Sequence, residues 1–152
     1  DATLTLSSTS GTQTVAADDF FVGYYSTTRG HDELITEVTI PTPPDLSTGF
    51  AEFSRRSGDF AVALAVTATW TGTGRREARV VVGGLDVRPR RLLEIETLLS
   101  EGGSAAALAG TSRDHVQTAT DPSSDIHASA DHRISLGLEM VRRSLSRMEA
   151  TP

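Results

Sequence analysis

The chain has 152 residues, 38% of them hydrophobic and 22% charged, enough for one globular domain, or a domain plus a fragment, with a buried core. Its net charge is −6 and its arginines are scattered in ones and twos, which argues against a nucleic-acid partner. The absence of cysteine excludes disulfides, thiolate nucleophiles and a cysteine-held iron–sulfur cluster, and the absence of lysine excludes Schiff-base chemistry and a P-loop.

No apolar run approaches the length of about eighteen residues that a membrane-spanning helix needs. No charged segment followed by an apolar one resembles a targeting leader. We therefore expect no membrane span. The missing leader says little about targeting, and a cytoplasmic setting is the expectation.

The first predicted elements form a small sheet. Polar and apolar residues alternate over 3–7, Ser10-Gly11 is a turn signal, and residues 13–15 can return as the second arm of a hairpin. We expect Asp18 or Asp19 to cap a short turn or helix that carries a packing cluster of aromatic residues. That cluster comprises Phe20, Phe21, Tyr24 and Tyr25.

A strand is predicted next, over 33–40, with Leu34, Val38 and Ile40 on one face and Ile35 on the other. Prolines 41, 43 and 44 end it and form a linker. After the linker, three segments rich in apolar and β-branched residues predict a second unit. They are 49–54, 61–70 and 78–85, with a turn at 71–74 between the last two.

Three helices are predicted after these strands, over 90–99, over 104–108 with an extension toward 117, and over 128–148. In the last helix, apolar residues recur every three or four positions and make one stripe that should face the sheet. The stripe comprises Ile134, Leu138, Val141, Leu145 and Met148. The residues alone thus predict an α+β fold, a three-stranded antiparallel sheet packed with a small helical bundle and preceded by a strand-rich remnant of another domain.

Catalytic and metal motifs are weak. His127, Asp131 and His132 cluster near the start of the last helix, yet no His-Glu-x-x-His or similar ligand set accompanies them. We interpret these three residues as solvated. The serines lack a Gly-x-Ser-x-Gly elbow, so a Ser-His-Asp hydrolase is not predicted either.

Short motifs with fixed internal spacing follow one another along almost the whole chain. They are Asp19-Phe20-Phe21 with Gly23 and Thr27; Glu33-Leu34-Ile35 leading to Ile40-Pro41; Phe53 before Arg55-Arg56 and Gly58-Asp59-Phe60-Ala61; Gly83-Gly84 before Arg88-Pro89 and Arg91; Pro122 with Asp125; and His132-Arg133 with Arg142-Arg143. In this order they resemble the middle and end of the flavin (medium) subunit of molybdenum hydroxylases of the xanthine dehydrogenase and carbon monoxide dehydrogenase type.

This resemblance implies that residues 1–44 end an FAD-binding domain and that residues 45–152 form a domain like the C-terminal domain of the CO dehydrogenase flavoprotein. It also implies a further N-terminal half that carries the glycine loops for the FAD diphosphate. The implied activity is that of an oxidoreductase component: FAD accepts electrons from [2Fe-2S] clusters on a small subunit, after a large subunit with a molybdenum cofactor has hydroxylated the substrate. The implied assembly is a dimer of heterotrimers. The sequence names neither the substrate nor the acceptor.

The resemblance further implies a cofactor-binding set made of Ile35, Glu52, Arg55, Asp59 and Phe60, with Ile35 and Phe60 against the flavin and the Arg55–Phe60 segment bordering it. Several family members have a lysine where this chain has Glu52, and a carboxylate there would disfavour a reduced anionic flavin; other members share the Phe-x-Glu-Phe pattern. The resemblance implies no catalytic or metal-ligating residue in this part. The alternative function is a non-catalytic assembly or docking module that keeps the fold and does not bind flavin.

Overall fold

The computed structural model describes the backbone of residues 1–150 and the side chains of residues 1–148; the last two residues of the predicted second domain lie outside the described residues. It divides the chain into two compact units, Asp1–Thr42 and the residues from Pro43 onward.

The first unit contains a three-stranded antiparallel sheet in the order β2-β1-β5. Its strands are β1 (Thr3–Ser8), β2 (Gly11–Ala16) and β5 (Leu34–Thr39), and the β1–β2 pairing confirms the predicted hairpin. A one-turn helix α1 (Ala17–Phe20) and a small hairpin of β3 (Phe21–Gly23) and β4 (Ser26–Thr27) lie between β2 and β5.

The predicted aromatic packing cluster is wrong for Tyr24 and Tyr25. Phe20 is buried with Leu4 and Leu6, and its ring meets the ring of Phe21 edge to face, with the centroids 5.1 Å apart, although Phe21 is exposed. Tyr24 and Tyr25 are exposed, and Tyr25 has a φ of 52° in the turn between β3 and β4. A β-hairpin this short has too little surface to bury its own aromatic side chains. The N-cap of α1 is Ala16, so the two aspartates lie in the first helical turn rather than at the cap.

The predicted faces of β5 also need correction. Ile35 pairs with Leu6 and Val38 pairs with Leu4, because a bulge shifts the register of the β1–β5 pair between Thr5 and Leu6. Since Leu4 and Leu6 are two residues apart on β1, Ile35 and Val38 share one face of the sheet. A period-two pattern read from the sequence cannot anticipate a bulge.

The second unit is built on an antiparallel sheet in the order β10-β6-β7-β8-β9. Its three long strands are β6 (Ser47–Phe53), β7 (Ala63–Gly72) and β8 (Arg75–Gly83), which confirm the predicted three. Two-residue strands, β9 (Arg90–Arg91) and β10 (Glu149–Ala150), extend the edges and are too short to carry a sequence pattern. The turn between β7 and β8 is Thr73-Gly74, both with positive φ, as a two-residue hairpin turn requires.

The helices are α2 (Leu93–Gly110), α3 (Arg113–Ala119) and α4 (Ala130–Ser146). The first two predicted helices merge into α2 across a kink at Gly103, where φ is 75°. The predicted extension toward 117 is a separate helix, because a capping box between Ser112 and His115 starts it anew.

The core lies between one face of the sheet and the helices. Alternate residues of β7 and β8, among them Ala65 and Val80, meet the stripe of α4, whose members Val141 and Leu145 are fully buried. Close contact is possible because Gly49 has no side chain: a Cβ there would lie 2.0 Å from the Ser144 carbonyl oxygen. The stripe therefore faces the sheet, as predicted, although Leu138 and Met148 are only partly buried.

Candidate functional site

The candidate site centres on the segment that joins β6 to β7, residues 54–62, which we call the β6–β7 loop. It is closed at its base by the Val62 N–H, which donates to the Phe53 carbonyl at 2.8 Å. Within the loop, the Ser54 hydroxyl and the Asp59 N–H both donate to the Arg56 carbonyl, at 3.0 and 3.2 Å. Gly58 has a φ of 80°, a conformation that favours glycine at this tight reversal.

Phe60 is presented to solvent by this loop. Its backbone N–H donates to Oδ1 of Asp59 at 3.0 Å, and its side chain is 94% exposed. A fully exposed phenylalanine held by a short hydrogen-bonded loop leaves a large apolar area in water, which is typical of a contact surface rather than of a fold determinant.

Arg55 ties the start of the loop to the segment that precedes α4. Its Nη2 contacts Nδ1 of His127. The His127 N–H and the Ala128 N–H in turn donate to Oδ1 of Asp125, at 2.8 and 3.0 Å. His127 therefore lies in a side-chain-capped turn just before the helix, where it is exposed, as its interpretation as a solvated residue expects, and it also contacts the loop.

The carboxylate of Asp125 is held ionised. The backbone N–H groups of Ala128 and His127, which contribute most, and the guanidinium of Arg133 lower the pKa of Asp125 from 3.8 to about 2, because together they stabilise the charged form more than desolvation opposes it. The salt bridge to Arg133 joins Oδ2 of Asp125 to Nη2 at 2.8 Å.

Arg133 also fixes the end of the β6–β7 loop. This side chain is buried, and its Nη1 donates to the carbonyl oxygens of Val62 at 3.1 Å and Gly84 at 2.9 Å. One guanidinium thus joins the last residue of the loop, the end of β8 and the turn before α4.

A second carboxylate, that of Asp86, binds the start of the segment between α3 and α4. Asp86 accepts the Asp121 N–H at 3.2 Å and pairs with Nε of Arg90 at 2.8 Å. Burial alone would raise the pKa of Asp86, but the hydrogen bonds from Arg90 and from the N–H groups of Val87 and Asp121 outweigh it and lower that pKa.

Glu52 lies on β6, just before the loop. By alternation it shares the outer face of the sheet with Phe50, while Ala51 between them is buried. Phe50 pairs with Val66 on β7, and both are exposed, so this face carries an apolar band that α2 and α4, packed on the opposite face, do not cover.

The structure brings Arg55, Asp59 and Phe60 together in the β6–β7 loop, with Glu52 on the strand that enters it. Ile35 belongs to the other unit, on β5, and its side chain is 47% exposed. The sequence analysis did not assign a role to Asp125, His127 or Arg133. The sequence could have indicated Asp125, because an aspartate a few residues before a predicted helix often accepts hydrogen bonds from the backbone N–H groups two or three residues later, in an Asx turn.

Two further observations bear on the kind of site. Within residues 1–148 no group of three or more His, Asp or Glu side chains is placed to hold a metal ion. Over the same described part of the chain, none of the helices combines the length and apolar character that crossing a bilayer requires.

Comparison with known proteins decides the family. Residues 48–148 match the model of the CO dehydrogenase flavoprotein C-terminal domain, and residues 1–43 match that of the FAD binding domain in molybdopterin dehydrogenase. The chain belongs to the CO dehydrogenase flavoprotein C-terminal domain family. Its resemblance to the medium subunits of molybdenum hydroxylases is thereby confirmed.

Relatives of this CO dehydrogenase flavoprotein-type chain include the nicotine 6-hydroxylase medium subunit of Paenarthrobacter nicotinovorans, 35% identical over 89% of the chain and 48% of that protein. The carbon monoxide dehydrogenase medium chain of Hydrogenophaga pseudoflava is 29% identical over 96% of the chain and 52% of that protein. The chain spans about half the length of these curated relatives.

Solved structures show the same fold. CO dehydrogenase from Oligotropha carboxidovorans superposes with a TM-score of 0.84 at 27% identity, over 96% of the chain and 52% of that structure. Quinoline 2-oxidoreductase from Pseudomonas putida gives 0.79 at 30% identity, over 95% of the chain and 51% of that structure. The α+β fold predicted from the sequence is confirmed by these matches.

Proposed function

We propose that this chain is the C-terminal part of the flavin subunit of a molybdenum-hydroxylase-type oxidoreductase and helps to hold FAD. The observation that carries the proposal is the pair of family matches, one to an FAD-binding domain and one to a flavoprotein C-terminal domain, in consecutive parts of one chain. The exposed Phe60 in the β6–β7 loop of the second unit supports the position of the site.

The residues fit one part of FAD better than another. Phe60 and Ile35 offer apolar surface suited to the isoalloxazine ring, and both are exposed in this chain. The diphosphate needs backbone N–H groups or cationic side chains, and the proposed set offers Arg55 alone, which already contacts His127. We therefore place the diphosphate on the other half of the flavin subunit.

When bound, FAD supplies the redox chemistry by taking up electrons and passing them to an external acceptor. The chain's own residues then have positional roles. Phe60 covers the ring edge and excludes water, and Ile35 contacts the ring from the first unit. Glu52 places a negative charge near the flavin and so disfavours its reduced anion, while Arg55 and Asp59 hold the loop in shape.

The proposed assembly follows the relatives, which are named as medium subunits or chains of larger complexes. We propose an iron–sulfur small subunit, a large subunit with the molybdenum cofactor, and a cytoplasmic dimer of heterotrimers. We propose that residues 1–44 end the FAD-binding domain and that residues 45–152 form the C-terminal domain. The negative net charge supports protein partners rather than nucleic acid.

The test is Phe60→Ala in the assembled complex, measured by FAD content and by stopped-flow rates of flavin reduction and reoxidation. We expect lower FAD content or slower transfer to the acceptor, while hydroxylation assayed with an artificial acceptor at the molybdenum site stays unchanged. Phe60→Tyr keeps the ring and should behave like the wild type. Ile126→Ala removes a similarly exposed apolar side chain from the turn before α4 and should change none of these rates. If Phe60→Ala leaves FAD content and all flavin rates unchanged, the loop is structural and the docking-module alternative is favoured.

A further inference from the structure

We propose that Arg133 is a positioning residue for the flavin site: it fixes the β6–β7 loop in the conformation that presents Phe60. This inference rests on the proposed function, because the loop positions a flavin neighbour only if flavin binds there. Arg133 itself does not line the exposed surface, since it is buried beneath the turn before α4.

The Arg133 guanidinium donates hydrogen bonds to three acceptors. Its Nη1 serves two carbonyl oxygens and its Nη2 serves the Asp125 carboxylate. Nε is buried and has no hydrogen-bond partner among the described residues, so the two terminal nitrogens make these three contacts. A planar fork that reaches three acceptors in different elements cannot be replaced by the single ammonium group of lysine.

The two carbonyl acceptors of Arg133 lie at the end of the β6–β7 loop and just after β8. Val62 is the last residue of the loop, and its N–H is already bonded to Phe53, so Arg133 fixes the same residue through its carbonyl. Gly84 approaches this carbonyl closely: a Cβ on Gly84 would lie 2.5 Å from the Val62 oxygen. The end of the loop is therefore held between β8 and a buried cation.

The start of the loop is linked to the same ion pair through His127. Arg55 contacts His127, whose N–H is bonded to Asp125, and Asp125 is the carboxylate paired with Arg133. Both ends of the loop thus depend on one ion pair, and Phe60 lies between them with its side chain in solvent. Losing the pair should loosen the loop locally while the core cluster, of which Arg133 is not a member, stays intact.

The experiment compares Arg133→Lys with Arg142→Lys. Arg142 is a matched control because it lies on the same helix and donates to a backbone carbonyl, that of Thr111 at 3.1 Å, away from the loop. Trypsin cleaves after both arginine and lysine, so neither substitution removes a cleavage site. The first readout is the rate of cleavage after Arg55 and Arg56 in the folded chain.

We expect Arg133→Lys to speed cleavage at these two sites about tenfold and the control to leave it unchanged. Asp125→Asn keeps the acceptor for the two N–H groups but removes the charge, so a smaller increase, about threefold, is expected from this milder variant. Equal cleavage in all chains, or an increase that is as large at Arg113 and Arg147 as in the loop, would overturn the proposal.

The second readout is the flavin spectrum and midpoint potential after assembly with the N-terminal half of the subunit. Arg133→Lys should shift both, and the Arg142→Lys control should shift neither, because a purely structural arginine far from flavin would not alter the environment of the ring. Unchanged spectrum and potential in a complex that binds FAD would overturn the positioning role. If the wild-type assembly binds no FAD, the proposed function fails, and cleavage alone then decides whether Arg133 holds the loop.

Discussion

Truncating Leu145 tests how α4 packs on the sheet. Leu145 is 2% exposed, within the core cluster that the sheet and helices share, whereas Leu138, two stripe positions earlier on the same helix, is only partly buried. Leu145→Ala removes the same atoms as Leu138→Ala but leaves a cavity closed on all sides. We expect a loss of about 3 kcal/mol in unfolding free energy for Leu145→Ala and about 1 kcal/mol for Leu138→Ala.

The assay is urea unfolding followed by tryptophan fluorescence. Trp70 is the only tryptophan of the chain and lies on β7, so its signal reports the second unit. With a slope of about 1.5 kcal/mol/M, Leu145→Ala should lower the midpoint by about 2 M and leave the slope unchanged. If the two variants lose equal stability, or if Leu138→Ala loses more, the burial of α4 described above is wrong.

Two further predictions concern a close backbone approach and an ionised carboxylate. Gly49→Ala should lower the unfolding free energy by about 3 kcal/mol or more, because its Cβ would lie 2.0 Å from the Ser144 carbonyl oxygen. Gly72→Ala is the control: its Cβ would meet only the flexible Glu77 side chain, so we expect a loss under about 1 kcal/mol in the same urea assay. Folding lowers the pKa of Asp125 from 3.8 to about 2, so its ionised form stabilises the fold above pH 3.8 and that contribution is lost as the pH falls through 2. The stability difference between wild type and Asp125→Asn should therefore be larger at pH 6 than at pH 2; a difference that does not change with pH would contradict this.

The long elements could be predicted from the sequence because each carries a pattern long enough to detect. Runs rich in apolar and β-branched residues indicate β7 and β8, and the three-to-four spacing in α4 indicates its buried face. The two-residue strands β9 and β10 have no period to detect, and they owe their pairing to neighbours brought close by the fold.

Side-chain environments were harder to predict than elements. Aromatic residues clustered in sequence favour a packing cluster, yet Phe20 is buried and Tyr25 is exposed, because the two-stranded β3–β4 hairpin has too little surface to bury its own aromatic side chains. The environment of the Arg-Pro-x-Arg motif could not be predicted either. Its Arg91 forms a structural ion pair with Glu96 at 2.5 Å, and this buried carboxylate also accepts the Val80 N–H.

The candidate site was predicted only as far as the resemblance reaches. It implies a role for the Arg55–Phe60 segment, which the structure places in one exposed stretch of the β6–β7 loop, and it includes Asp125 and Arg133 as motif residues without a role. The contacts that join these two to the loop span more than sixty positions of sequence, from Val62 to Arg133, and only tertiary structure reveals them.

The most direct test of the central claim, that this chain supplies one part of an FAD site, is a calorimetric titration of FAD into the chain alone and into the chain mixed with the N-terminal half of a medium subunit of this family. We predict weak or undetectable binding to the chain alone, since we propose that the diphosphate site belongs to the other half, and tight binding to the mixture. Micromolar binding by the chain alone, or a mixture that binds no better than the N-terminal half by itself, would contradict the account.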